Sequence, residues 1–151
     1  MNVLKKEAII PRIDGILKDL DKLREIQNKG GENLKTDEDA YALCQFYLRQ
    51  ALEGVFHIGE HILSRLNGGR ATEYKEIAKK LGEAGIVDQK FAQTKLTAMA
   101  GYRNRLTHFY AEITPDELFE ILEKDLPDFE IFLSDIKDLL SNPGKYNLTI
   151  E

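Results

Sequence analysis

Apolar residues in this chain recur every three or four positions, and nowhere do they alternate with polar ones over a sustained run. Ile13, Ile16, Leu17, Leu20, Leu23 and Ile26 form one such stripe. A helix buries that pattern on one face, whereas a strand needs period two. The first helix is expected from about Val3 to Gln27, with Pro11 either kinking it or marking its first turn, and Gly30-Gly31 ending it. Thr36-Asp37-Glu38-Asp39 reads as the next start, with the Thr36 hydroxyl as cap and the acids at the positive end of the dipole. That helix runs to about Leu66 on Leu43, Phe46, Tyr47, Ala51, Val55, Ile58 and Ile62, until Asn67-Gly68-Gly69 breaks it. Thr72-Glu73-Tyr74 opens a short third helix that stops at Gly82 or Gly85, and Asp88 caps a fourth from Gln89 to about His108. Thr114-Pro115-Asp116-Glu117 opens the fifth as a capping box, with proline at the first helical position and Pro127 further on as a kink. From Glu112 to Ser141 there are ten acids and two lysines, so its outer face is expected to be acidic. The fold expected is all-α: an up-and-down bundle of four main helices plus one short helix, one domain over 1–151, with about 142–151 as a loose tail.

At 151 residues with 42% hydrophobic content, the chain is long enough to bury a real core. Its one cysteine, Cys44, excludes an intrachain disulfide and sits in an apolar helical stretch, where it reads as a small buried hydrophobe. No apolar run approaches the ~18 residues of a membrane span, and Met1-Asn2-Val3-Leu4-Lys5-Lys6 meets charge too early for a secretory leader. A cytoplasmic location is therefore expected. The net charge of −5 argues against general coating of nucleic acid.

A focused basic site is a different matter. From Gln89 to Ala111 there are two Lys, two Arg and one His, and no Asp or Glu. The densest part is Arg103-Asn104-Arg105-Leu106-Thr107-His108-Phe109-Tyr110. Cleavage of RNA without a metal needs a base for the 2′-hydroxyl, a cation for the phosphorane oxygens and an acid for the leaving 5′-oxygen. Histidine titrates near neutrality and serves as acid or base; arginine presents a planar fork matched to phosphate. One imidazole cannot fill both proton roles in one step, so this chemistry predicts a two-fold dimer that brings two copies of the segment together. Geometry sets a condition. At about 100° per residue, Asn104 and His108 share a stripe, but Arg103 lies about 140° from His108 around a straight helix. The helix must loosen near His108, Arg103 must reach around, or a second subunit must complete the site. The alternative is a cationic last turn favoured by the helix dipole alone.

Arg103 to Tyr110 resembles the Arg-x4-His-x-Tyr motif of the HEPN superfamily, in its HepT-like branch. Met99 to Ala111 resembles that branch's signature segment, Tyr41 to Ser64 its long second helix, and Glu73 to Ile86 its short helix and following turn. The resemblance implies a helical bundle that dimerises through the motif. It implies a metal-independent endoribonuclease acting as a toxin, with a small nucleotidyltransferase as antitoxin. On that resemblance Arg103 and His108 are catalytic, Asn104 orients His108 or contacts RNA, Arg105 supports RNA binding or is simply exposed, and Tyr110 is the acceptor of an AMP group. An adenylyl group on Tyr110 would add bulk and negative charge beside a cationic site. No cofactor is implied, association beyond the dimer is left open, and no membrane partner is expected. Some members of the superfamily only bind nucleotides or assist a transferase, which is the alternative function.

His57 and His61 are four residues apart, with Glu53 four before His57 and Glu60 beside His61. Such spacing can hold a metal. The other helices supply no matching set, so the expected metal ligands are none and the pair is expected to pack.

Overall fold

A computed structural model describes residues 2–108 and 112–151. Strand β1 (Asn2–Leu4) is followed by α1 (Lys6–Asn28), α2 (Gly31–Thr36), α3 (Glu38–Ser64) and α4 (Tyr74–Glu83). Then come α5 (Gln89–Phe91), a π-helical turn (Ala92–Leu96) and α6 (Thr97–Thr107), which run on without a break. Helix α7 (Pro115–Ser141), a 3-10 turn (Pro143–Tyr146) and strand β2 (Leu148–Ile150) complete the chain. The architecture is an all-α bundle with one two-stranded addition. No helix among the described residues is long and apolar enough to cross a membrane.

Helix α3 is the spine. Helix α1 packs along it, and α4, α6 and α7 pack against other parts of it. The α1–α3 approach is close because Gly54 has no side chain: a Cβ there would lie 2.8 Å from Ile16 Cγ1. Phe56, Phe129, Phe132, Leu48 and Leu52 are fully buried between these helices, each worth about 1.5–3 kcal/mol of transfer from water. Leu17, Leu43 and Phe46 belong to the expected apolar stripes yet are 39%, 48% and 45% exposed. The stripes are wider than the faces the single chain covers.

The helix starts are local. Thr114 Oγ1 accepts the N–H of Glu117 at 3.2 Å, as the sequence implied, with Pro115 at the first position of the helix. At α3 the cap is Asp37 rather than Thr36: Asp37 Oδ1 accepts from Asp39 N and Ala40 N at 3.0 and 3.1 Å. Thr36 instead closes α2, its hydroxyl donating to the Glu32 carbonyl. That short helix was not expected, because Gly30 and Gly31 read as a break; only Gly30, at φ +89°, is one. Pro11 sits inside α1, so the Glu7 carbonyl has no N–H four residues on.

Two expectations fail at the chain ends. Val3 lies in a strand, not in the first helix, and the last residues are not loose. β1 pairs parallel with β2, Asn2 opposite Leu148 and Leu4 opposite Ile150. Glu151 N donates to Leu4 O and Lys6 N to Glu151 O, and Leu4 and Leu148 are buried. Three-residue strands carry too little sequence to show period two. The outer face of α7 is also less uniformly acidic than expected, since Asp125 and Asp128 turn inward. Burial raises the Asp128 carboxyl above its ordinary range.

Candidate nucleic-acid interface

The site grows from the end of α6. Asp88 caps the run by accepting Phe91 N, and the π-helical turn that follows adds one residue to a turn, with Thr97 Oγ1 donating to the Ala92 carbonyl at 2.7 Å. That insertion rotates the later face relative to the earlier one. The helix ends at Thr107, whose hydroxyl donates to Asn104 O at 2.9 Å. His108 is the C-cap, extended at φ −115° and ψ 121°, and exposed. Its direction is therefore free of the helical spacing that set it about 140° from Arg103.

Arg103 is held by residues distant in sequence. Its guanidinium lies over the Tyr74 ring, 4.3 Å from the centroid. Nη2 is 3.9 Å from Glu53 Oε2, and Nη1 is 3.5 Å from Asn104 Oδ1. Its Nε is buried with no hydrogen-bond partner among the described residues. Glu53 also faces Arg49, with Nε 3.5 Å from Oε1. Helix α3 thus presents Arg49, Glu53 and His57 on one face at four-residue spacing, toward the motif. The His57 ring and the Tyr74 hydroxyl meet at 3.3 Å. Burial raises the Tyr74 hydroxyl pKa, and Arg103 acts in the opposite sense.

Within one chain the described motif residues line two separate hollows. Arg103 and Asn104 line a hollow of about 490 Å³ with Thr72, Tyr74 and Lys75. Arg105 and His108 line another of about 340 Å³ with Gln45, Arg49 and Glu112. Arg105 is engaged in structure: Nη1 and Nη2 grip Glu117 at 2.5 and 2.9 Å, and Nη2 also reaches Glu112 O at 2.9 Å. This bond holds the Glu117 carboxyl below its ordinary range. Glu117 therefore anchors α6 to α7 rather than reaching back to close the capping box. Tyr110, the expected AMP acceptor, lies outside the described residues.

The helix-spaced histidines part company. His57 turns to Tyr74, while His61 Nε2 accepts the Lys5 N–H at 3.2 Å beside β1. Burial, and then Arg65 and Arg12, lower the His61 pKa. Among the described residues no group of three or more His, Cys, Asp or Glu could hold a metal ion.

A family model described as ribonuclease HepT-like matches residues 16–136. The chain belongs to the HepT-like ribonuclease family. A relative named tRNA nuclease HepT, from Aphanizomenon flos-aquae (strain 2012/KM1/D3), is 24% identical over 140 residues, which are 93% of this chain and 95% of the relative. Among solved structures, a tri-AMPylated Shewanella oneidensis HEPN toxin in complex with MNT antitoxin superposes with TM-score 0.79 at 24% identity, covering 87% of this chain and 97% of that one. A toxin–antitoxin complex with AMP-PNP gives TM-score 0.76 at 22% identity, over 86% and 96% of the two chains. These likenesses show the fold. Arg49, Glu53 and Tyr74 are the site residues that sequence reasoning left out of the motif. The four-residue spacing of Arg49, Glu53 and His57 was a signal for the first two. Nothing local marked Tyr74.

Proposed function

We propose that this HepT-like chain is a metal-independent endoribonuclease, the toxin of a HEPN/nucleotidyltransferase pair. The observation that carries the reading is a braced guanidinium on the same helix end as an exposed imidazole. Arg103 is fixed by Tyr74 and Glu53 with its Nε buried, and His108 leaves the same helix in an extended, exposed conformation. In a two-fold dimer, one His108 takes the 2′-hydroxyl proton and the oxygen attacks the adjacent phosphorus. Arg103 stabilises the phosphorane oxygens. The second copy of His108 gives a proton to the departing 5′-oxygen. The products are a 2′,3′-cyclic phosphate and a 5′-hydroxyl.

Asn104 orients the Arg103 fork. Arg105, already gripping Glu117, ties the site to α7, and RNA phosphate contact beside it passes to Arg49. AMP transfer to Tyr110 by the antitoxin would silence the site by bulk and charge. Support comes from the family, from the likeness to a protein named tRNA nuclease, and from the likeness to HEPN toxins solved with MNT antitoxin.

The test is cleavage of total RNA in EDTA. Wild type is expected to cut, and Arg103→Ala and His108→Ala to lose activity by about 10²–10⁴-fold. Undiminished cutting by either variant would overturn the assignment. Tight nucleotide binding with no cutting by wild type would favour a non-catalytic partner of the transferase.

A further inference from the structure

The cavity between α1 and α3 shares Arg49 and Glu53 with the chemistry above, but its Asp19 wall has no part in it. It measures about 410 Å³, and Asp19, Phe46, Arg49, Gln50, Glu53 and His57 are among its walls. Asp19 stands out. It is 4% exposed, on a helix face whose other members are Ile16, Leu20 and Leu23. A buried carboxyl is costly unless it is hydrogen-bonded, and Asp19 has a bond from Gln50 Nε2 to its Oδ1 at 2.7 Å. A carboxylate offers about four acceptor positions, of which Gln50 takes one, and the Gln50 amide keeps its own oxygen. The part of the wall formed by Asp19 and Gln50 therefore keeps spare acceptors, beside the donors Arg12 and Arg49 on the same lining. Burial, the larger effect, raises the Asp19 pKa, against the Gln50 bond.

The opposite features of a nucleobase site are also present. Phe46 stands on the cavity wall and is 45% exposed, a flat apolar surface for stacking. Arg49 belongs both to this cavity and to the hollow of His108. Glu53 belongs to this cavity and faces Arg103 at 3.9 Å. The cavity thus adjoins both halves of the motif. Single-stranded RNA is read by splayed bases stacked on aromatic rings and hydrogen-bonded along their Watson–Crick edges. Guanine alone presents two adjacent donors there, N1–H and the N2 amino group, matched to one carboxylate. Adenine and cytosine each set an acceptor beside their donor, and uracil flanks its one N–H with two carbonyls.

We infer that this cavity is a base-recognition subsite taking a guanine of the RNA substrate, its donor edge on Asp19, its face on Phe46 and the neighbouring phosphate on Arg49. The inference rests on the ribonuclease reading for its substrate class. Mismatched bases are rejected because they leave a buried acceptor facing an acceptor.

The experiment titrates the 5′-monophosphates of guanosine, adenosine, cytidine and uridine into the full chain by calorimetry. The guanosine nucleotide is expected to bind about ten-fold tighter or better, the scale of one bidentate contact. Asp19→Asn turns an amide donor toward guanine's donors and removes the preference. Phe46→Ala, an exposed position that leaves the core intact, weakens all four about ten-fold through lost stacking. Equal binding of the four nucleotides, or an unaltered preference in Asp19→Asn, overturns the subsite. So does a nucleotide-insensitive dimer that buries Phe46 and closes the cavity with a second copy of the chain. Mapping the cut ends separates the two readings. Cleavage without guanine bias and without guanosine preference sinks the subsite and leaves the ribonuclease standing; guanosine preference without cleavage does the reverse.

Discussion

Arg103 is positioned by side chains it meets only in three dimensions. A guanidinium over an aromatic face is worth about 0.5–2 kcal/mol, depending on solvent exposure. Its value here is directional: the Tyr74 ring and Glu53 limit the rotamers of a long side chain that would otherwise sample many. Tyr74→Phe keeps the ring and is expected to retain cleavage within about two-fold, while Tyr74→Leu lowers kcat/KM about ten-fold at unchanged helicity. Single-turnover RNA cleavage with circular dichroism checks this. Equal losses in both variants would mean that the hydroxyl, which meets His57, matters and the ring does not. Arg103 and His108 were legible because Arg-x4-His-x-Tyr is contiguous. Tyr74 was not, because its partner lies twenty-nine residues on (103 − 74).

At the scale of elements, caps decide boundaries. Asp37→Ala and Thr114→Ala are each expected to cost about 1 kcal/mol, and Thr36→Ala close to nothing for α3, read as urea midpoints. Thr36 and Asp37 are adjacent and both are good caps, so sequence could not choose; the Thr36 hydroxyl is committed to Glu32 O by the short helix before it. The join of α6 to α7 has a pH signature. Glu117 has a lowered carboxyl pKa in the fold because Arg105 donates to it. A lowered folded pKa gives stability that is complete above the ordinary value of 4.5 and fades as pH falls through the folded one. Wild type should therefore exceed Glu117→Gln in stability at pH 6 to 7 (chosen well above the 4.5 value), and the gap should close below pH 4.5. The gap is modest, since both side chains are more than a third open to screening solvent. A gap that widens in acid would remove Arg105 as the cause.

Across the whole molecule, the two ends of the chain close the bundle. β1 and β2 bury Leu4 and Leu148, and Lys5 reaches Glu151 at 3.3 Å. Leu148→Ala is expected to cost about 2–5 kcal/mol by loss of a buried side chain and the cavity it leaves, a large share of a domain's stability. Thermal unfolding measures it; a change under about 0.5 kcal/mol, the range of surface positions, would mean that the tail is loose after all. Sequence gave no hint of this closure, since pairing between chain ends has no local pattern.

By itself the sequence determined the main helices though not α2, most of their caps, the apolar stripes and the cationic motif. These depend on residues within a few positions of one another, where the helical repeat makes neighbours predictable. The tertiary structure alone decided which side chains brace Arg103, that Arg105 spends its fork on Glu117, that Asp19 sits buried in a cavity beside the motif, and that the termini pair. Each of those joins groups far apart along the chain, and only the packing of α1, α4, α6 and α7 around α3 selects which distant groups meet.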